Sequence, residues 1–397
     1  MMFESFVDAL MQPMNPGVLV CGVVAFLLML FLLYVDVAYY ARVLRASRSD
    51  ANIPDEGPLP PVSLIVYACD NAASLRRNLP ELFAQDYPDF EVVVVDDAST
   101  DGTRDLLCLY ADRFPRLYST YVPSDACALS RRKLAITLGF KAVRNEYVVL
   151  LDATCRPASR YWLRNMMRRF SDEVGIVLGY TRFESEQVGL SRYAAYDRLL
   201  FAARYLSCAL RGNPYMGEGT NVVYRKSLFF DHKGFSRTLN LRYGDDDLFI
   251  NEVATGQNTR VEIAPESRVD AVTDDAVALW RHTKLRYLFT APYLHHSRRW
   301  LFLFEQWSVY LFYAALGGMW AMQPLHPVVW FTTLLLLLWR ALMQTLFYKR
   351  LARALDIPCL GFRVMGYEGL RPLVGLKEAF SVRRRREENR TWGSMKV

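Results

Sequence analysis

Carboxylates in this chain fall where strands end, which is where a sheet enzyme keeps its chemistry. Val92–Thr103 reads VVVVDDASTDGT: four valines close on Asp96 and Asp97, then come Ser99, Thr100, Asp101 and Gly102. An uninterrupted β-branched run has the character of a strand buried on both faces, as in the middle of a parallel sheet. Ligands of open parallel sheets lie just outside the carboxyl ends of the strands, where strand order reverses. A second such run, Tyr147–Asp152 (YVVLLD), ends on Asp152, and Tyr243–Ile250 (YGDDDLFI) sets Asp245, Asp246 and Asp247 at a helix start. There the helix dipole favours negative charge. Carboxylates suit Mg2+ or Mn2+ shared with phosphate oxygens, and one of them can take a proton from an attacking hydroxyl. Arg131, Arg132 and Lys133 supply charge-assisted donors for an anionic partner, although the two arginines read equally as a solvated helix face.

The elements that must position these groups alternate in type. Pro61–Tyr67 is a short buried strand with a turn at Ala68–Asn71, and Ala72–Gln85 has helical spacing that Pro80 must distort. The turn DYPD at Asp86–Asp89 feeds the Phe90–Val95 strand, and Thr103–Tyr110 is helical. Arg131–Ala142 and Trp162–Phe170 predict helices, and Gly175–Gly179 a strand. Strand and helix in alternation is the doubly wound α/β pattern. Beyond it come a long aromatic helix at Leu190–Leu210, a glycine-punctuated loop into a strand at Pro214–Tyr224, and a last strand at Val261–Ala264.

Hydrophobic residues make up 52% of the 397, and they are concentrated at the two ends. A net charge of +7 favours anionic partners, phosphorylated substrates and lipid headgroups among them. Seven scattered cysteines without a CxxC pair speak against a disulfide framework or a zinc site. Val18–Val35 is uncharged and long enough to span a bilayer, and it lacks the basic start and cleavage site of a signal peptide. Arg42, Arg45 and Arg48 follow it and no basic residue precedes it, so the positive-inside rule puts the following chain in the cytoplasm. Trp280–Tyr287 (WRHTKLRY) has the composition of a segment lying on a membrane face. Trp307–Met322 and Val328–Tyr348 read as two further spans, with Arg340 snorkelling or paired, and Arg383–Arg386 as an anionic-lipid signature. The expected layout is a non-cytoplasmic 1–17, a span at 18–40, a linker at 41–60 that is proline-rich from Asn52 to Pro61, and a catalytic domain at 61–270. An interfacial segment at 271–306, a two-helix hairpin at 307–348 and a basic tail at 349–397 complete it.

Several of these stretches together match a known pattern. Gln85–Thr103 (QDYPDFEVVVVDDASTDGT) resembles the opening signature of family 2 glycosyltransferases, inverting enzymes of the GT-A fold, a Rossmann-like nucleotide-diphospho-sugar transferase architecture. Pro61–Asn71 (PVSLIVYACDN) takes the place of their first strand, and Lys133–Pro157 resembles the segment leading to their Asp-x-Asp metal motif. Asn213–Phe229 is similar to their acceptor-side loop and Tyr243–Phe249 to their catalytic-base motif. The resemblance covers about residues 60–270 and is greatest to membrane-anchored bacterial members that build surface polysaccharide or lipid-linked glycans.

The resemblance implies a nucleotide-sugar donor, a lipid-linked or glycan acceptor, membrane lipid as a partner, no nucleic acid, and a multi-pass protein of the inner membrane. By the same token Ala68, Asp70 and Asp97 would hold base and ribose, Lys133 the diphosphate, and Asp152 the metal. Thr154 stands where a second metal-binding Asp is common, and Tyr67 and Cys69 replace the family's Pro and Tyr. Gly217, Asn221 and Arg286 would lie on the acceptor side. One register makes Asp245 the base; a one-residue gap makes it Asp246, with Asp247 completing the cluster. Thr283–Tyr287 keeps only the Arg of the processive Gln-x-x-Arg-Trp motif, so transfer of one or a few sugars is expected. Two rivals remain: a non-catalytic scaffold that kept the fold, and a nucleotidyltransferase, which would need a glycine-rich phosphate loop that Tyr67–Ser74 lacks.

Overall fold

The computed structural model describes residues 13–49, 59–126, 128–294, 298–358 and 361–394. Most of the expected N-terminal segment (1–12) and of the proline-rich linker (52–58) lie outside the described residues. Helix α1 (Pro16–Val35) starts on Asn15, whose side chain accepts the Gly17 amide, with Pro16 in the first turn where its missing N–H costs nothing. It runs through a π-helical turn, Asp36–Tyr40, into α2 (Ala41–Ser49), so the first part of the expected linker is helix.

The α/β body follows in the order β1 (Val62–Ala68), α3 (Ala72–Phe83), β2 (Phe90–Asp96), α4 (Thr103–Arg113), β3 (Leu117–Tyr121), α5 (Arg131–Ala142) and β4 (Tyr147–Asp152). Then come β5 (Cys155–Pro157), α6 (Trp162–Met167), β6 (Ile176–Leu178), β7 (Thr181–Val188), α7 (Arg192–Leu210) and β8 (Val222–Arg225). It ends with α8 (Lys226–Asp231), α9 (Asp247–Val253), β9 (Thr259–Val261), β10 (Val269–Asp275) and α10 (Ala276–Thr290).

A seven-stranded sheet has the order β3-β2-β1-β4-β8-β6-β9, with β8 antiparallel to both its neighbours. The valines of β2 explain why the sheet is covered on both sides. Val92 and Val94 join a core with Leu75, Leu79, Leu106 and Trp162, while Val93 and Val95 join another with Ile136, Phe140 and Leu199. Period-two alternation thus feeds two layers of helices from one apolar run. A smaller sheet, β5-β10-β7, lies beside it. Its strands β7 (TRFESEQV) and β10 (VDAVTDD) are polar and lack the apolar runs by which strands are found in sequence.

Helices α11 (Arg298–Met322), α12 (Pro327–Ala354) and α13 (Val364–Ser394) complete the chain. Two helices among the described residues are long and apolar enough to cross a membrane, 16–48 and 327–354. The third expected span, Trp307–Met322, is part of α11 and does not reach that standard. Phe312 and Met319 of α11 pack on Val18 and Ala25 of α1, and its Glu305 accepts from Tyr40 (2.9 Å) and Arg204 (2.6 Å). The segment 271–306 is the one expected to lie on a membrane face. It contributes β10 to the small sheet and α10 to the body, with Trp280 and Ala276 buried. Most of the expected tail is helical, and Glu368 of α13 pairs with Arg340 of α12.

Candidate active site

Strand order reverses between β1 and β4, since β2 lies on one side of β1 and β4 on the other. Register sets Tyr67 opposite Asp152 and Ala68 opposite Asp96 at their carboxyl ends. The Ala68 carbonyl accepts the Asp97 amide at 2.8 Å. The side chain of Asp97 is buried, and it accepts from the Tyr67 hydroxyl (2.8 Å) and Arg131 Nε (2.8 Å). Asp70 and Ala98 both adopt left-handed backbone, φ 51° and 52°. Strain of that kind concentrates at functional sites. The loops that carry them are tied together: the Asp70 amide donates to Ser99 Oγ (2.8 Å), and Asp70 Oδ1 accepts the Thr100 amide (2.7 Å).

Arg132 spans the cleft. Its Nη2 lies 2.7 Å from Asp152 Oδ1 and its Nε 2.6 Å from Asp245 Oδ2, with the guanidinium over the Tyr67 ring at 4.6 Å. A strand-end carboxylate and the acidic cluster, far apart in sequence, thereby share one cation.

The acids at 245–247 are all but sealed from solvent, each 3% exposed or less. Gly244, at φ +99°, turns the chain into them, a conformation that favours glycine. Arg286 on α10 reaches Asp245 Oδ1 (3.2 Å) and both oxygens of Asp246 (3.3 Å). Asp246 also accepts from the Tyr287 hydroxyl (2.9 Å), the Gly219 amide (3.2 Å) and the Asp247 amide (2.9 Å). A Cβ on Gly219 would stand 2.7 Å from that of Asp246, so only glycine lets this amide approach. Asp247 accepts from the Leu248 amide (2.9 Å) and from Thr290 Oγ1. Burial opposes charge on Asp245, but Arg286 and Arg132 outweigh it and hold the carboxyl below its ordinary range. Asp247 is pushed the other way by burial and by the neighbouring Asp246.

Several residues expected in the site are elsewhere. Lys133 is 1% exposed, and its Nζ donates to the carbonyls of Thr238 (2.6 Å) and Leu241 (3.1 Å). It pins the loop before the acidic cluster, while the neighbouring Arg132 reaches Asp152 and Asp245. Asn221 is buried between strands, accepting from Trp162 Nε1 (3.1 Å) and donating to Tyr180 O (2.9 Å) and Ser267 O (3.1 Å). Gly217 lies against Leu178 and Ile250 in the core. Thr154 is half-buried and its carbonyl accepts the Val272 amide at 2.9 Å, joining the two sheets.

Residues with no sequence signal matter as much. Glu218 is buried in an ion pair with Arg198, whose Nη2 also donates to Thr181 O at 2.7 Å. Tyr287 and Thr290 stand one helical turn apart on α10 and brace Asp246 and Asp247.

No group of three or more His, Cys, Asp or Glu among the described residues is arranged to hold a metal. Asp152 is a single hard-oxygen donor, 23% exposed, and already neutralised by a cationic side chain. That fits a cation whose other ligands arrive with a phosphate, as Mg2+ commonly binds, and not a cage made of protein alone.

Residues 63–232 match the family model for glycosyl transferase family 2. This stretch is a family 2 glycosyltransferase domain. The acidic cluster and α10 lie beyond the matched residues. The chain is 30% identical over 94 residues to a Bacillus subtilis protein described as a teichuronic acid biosynthesis glycosyltransferase, covering 24% of this chain and 36% of that one. A glycosyltransferase of the same organism, EpsH, is 25% identical over 194 residues, 48% of this chain and 54% of the relative. The chain thus spans about half or less of the length of these relatives. The fold is shared with a solved mannosyltransferase of Pyrobaculum calidifontis in complex with GDP-Man and Mn2+: TM-score 0.57 and 21% identity over 89% of this chain and 99% of that one.

Proposed function

We propose that the chain is an inverting glycosyltransferase that moves a sugar from a nucleotide-sugar donor to a lipid-linked or polysaccharide acceptor at the cytoplasmic face of a bacterial membrane. The observation that carries it is the meeting of Asp152, at the ligand-binding end of β4, with Asp245 of the acidic cluster through Arg132. The pattern of the two apolar helices and of Arg42, Arg45 and Arg48 supports a membrane-held domain on the cytoplasmic side.

Asp97, Asp70 and the Ala68 turn bind the nucleoside. Arg132 serves the diphosphate in place of Lys133. Asp152, with Thr154 beside it, would hold Mg2+ or Mn2+, which when bound helps neutralise the departing diphosphate. The bond between the acceptor oxygen and the anomeric carbon forms as the bond to the diphosphate oxygen breaks. The electron pair leaves with the diphosphate and the acceptor's proton goes to a carboxylate. Asp245 is that base. Asp246 is held by Arg286, Tyr287 and two amides, and Asp247 by Thr290, whereas Asp245 is held by the guanidiniums of Arg132 and Arg286 and by no hydroxyl among the described residues.

The test is release of nucleoside diphosphate by the full chain in nanodiscs, across a panel of sugar-nucleotides with and without Mn2+ or Mg2+. Metal-dependent turnover of one donor, lost in Asp152→Ala, is expected. No turnover together with no donor binding by calorimetry would leave the scaffold reading in its place.

A further inference from the structure

Arg132 lies between Asp152 and Asp245, the residues to which the proposed function gives the cation and the base. It neutralises Asp152 and Asp245 at once, at 2.7 and 2.6 Å, yet its side chain is 19% exposed, far from locked in the core. Its backbone is held firmly. Ser130 caps α5, and Lys133, the residue after Arg132, anchors the first turn to Thr238 and Leu241. The side chain can therefore move while the helix stays, and the Tyr67 ring at 4.6 Å gives the guanidinium a face to slide over.

We infer that Arg132 is a displaceable counter-ion that makes donor loading a condition for base availability. In the donor-free chain it holds the two carboxylates together. When the donor arrives, Arg132 yields Asp152 to the divalent cation and turns to the diphosphate, whose oxygens match its planar fork. Asp245 then keeps Arg286, whose Nη2 reaches Oδ1 at 3.2 Å and Oδ2 at 3.4 Å, as its one cation, and the short Arg132 contact on Oδ2 gives way to the acceptor hydroxyl. With Arg132 in place that oxygen is filled, so an acceptor that enters first finds no base.

This rests on the nucleotide-sugar reading, and its test separates the two. Mn2+ binding to the full chain in nanodiscs is followed by electron paramagnetic resonance, without nucleotide and with GDP or UDP, for wild type, Arg132→Gln and Arg132→Lys. Without nucleotide, Arg132→Gln should bind Mn2+ about tenfold more tightly than wild type, because the competing cation at Asp152 is gone. It should also lose about tenfold or more in nucleoside-diphosphate affinity by calorimetry. Arg132→Lys, a point charge unable to bridge both carboxylates, should fall between, and it keeps the test alive if Arg132→Gln does not fold. Unchanged Mn2+ affinity in both variants, with wild-type melting temperature and wild-type nucleotide binding intact, overturns the counter-ion and leaves the donor reading standing. Failure of wild type to bind either nucleotide at any metal concentration overturns both.

Discussion

The hydroxyl of Tyr287 donates to Asp246 Oδ2 at 2.9 Å, so α10 braces from outside the matched domain the turn that opens α9. Its ring meanwhile stacks on Phe201 with centroids 4.7 Å apart, so removing the hydroxyl alone leaves the packing in place. Tyr287→Phe should cost about 1–2 kcal/mol of stability, the price of one hydrogen bond to a buried carboxylate. Thermal unfolding of the variant at the same Tm as wild type would show that the brace is ornamental.

Asp245 and Asp246 should separate cleanly. Asp245→Asn leaves Arg132 with Asp152 and Arg286 with Asp246, so the fold should survive while turnover drops about a thousandfold. Asp246→Asn keeps the helix N-cap but removes the charge facing Arg286 and sets an amide donor against the Tyr287 hydroxyl and the Gly219 amide, and should cost about 2 kcal/mol or more of stability. Turnover retained in Asp245→Asn would move the base elsewhere.

The Arg198–Glu218 pair is nearly sealed from solvent, at 3% and 4% side-chain exposure. Removing one partner strands a buried charge, so Arg198→Met should destabilise by about 3–5 kcal/mol. Arg198→Met combined with Glu218→Gln should recover part of that loss, as read by the unfolding midpoint. A double variant no better than the single would show that Arg198 matters through its packing on Phe183, 4.2 Å from the ring centre, more than through its charge.

Lys133 gives a pH signature. Burial lowers its ammonium to about 8 from 10.5, against the opposing pull of Asp245, Asp247 and Asp246. Between these values the unfolded chain holds the proton and the folded chain does not, so this residue adds stability as pH rises through the window. Below pH 8 both states are protonated and its contribution is flat. The stability of wild type relative to Lys133→Met should therefore grow from pH 8 to 10.5. A constant difference across that range would refute a depressed ammonium.

What the sequence by itself determined was local in origin. The valines of β2, the acids closing β2 and β4, and the glycine and acids opening α9 are written within a few residues of one another, and short-range sterics and burial suffice to read them. Tertiary structure decided which side chains face the cleft. Arg132 and Lys133 are neighbours on one helix and point roughly 100° apart, so which enters the site depends on how α5 sits against the sheet. No spacing rule separates them. The same holds for Asn221 and Gly217, whose loop turns them inward, and for Arg286, Tyr287 and Thr290, some 40 residues beyond the acids they hold. The polar strands β7 and β10 form because paired edges and ion pairs such as Arg182–Asp270 satisfy them, a compensation visible only once the chain is folded.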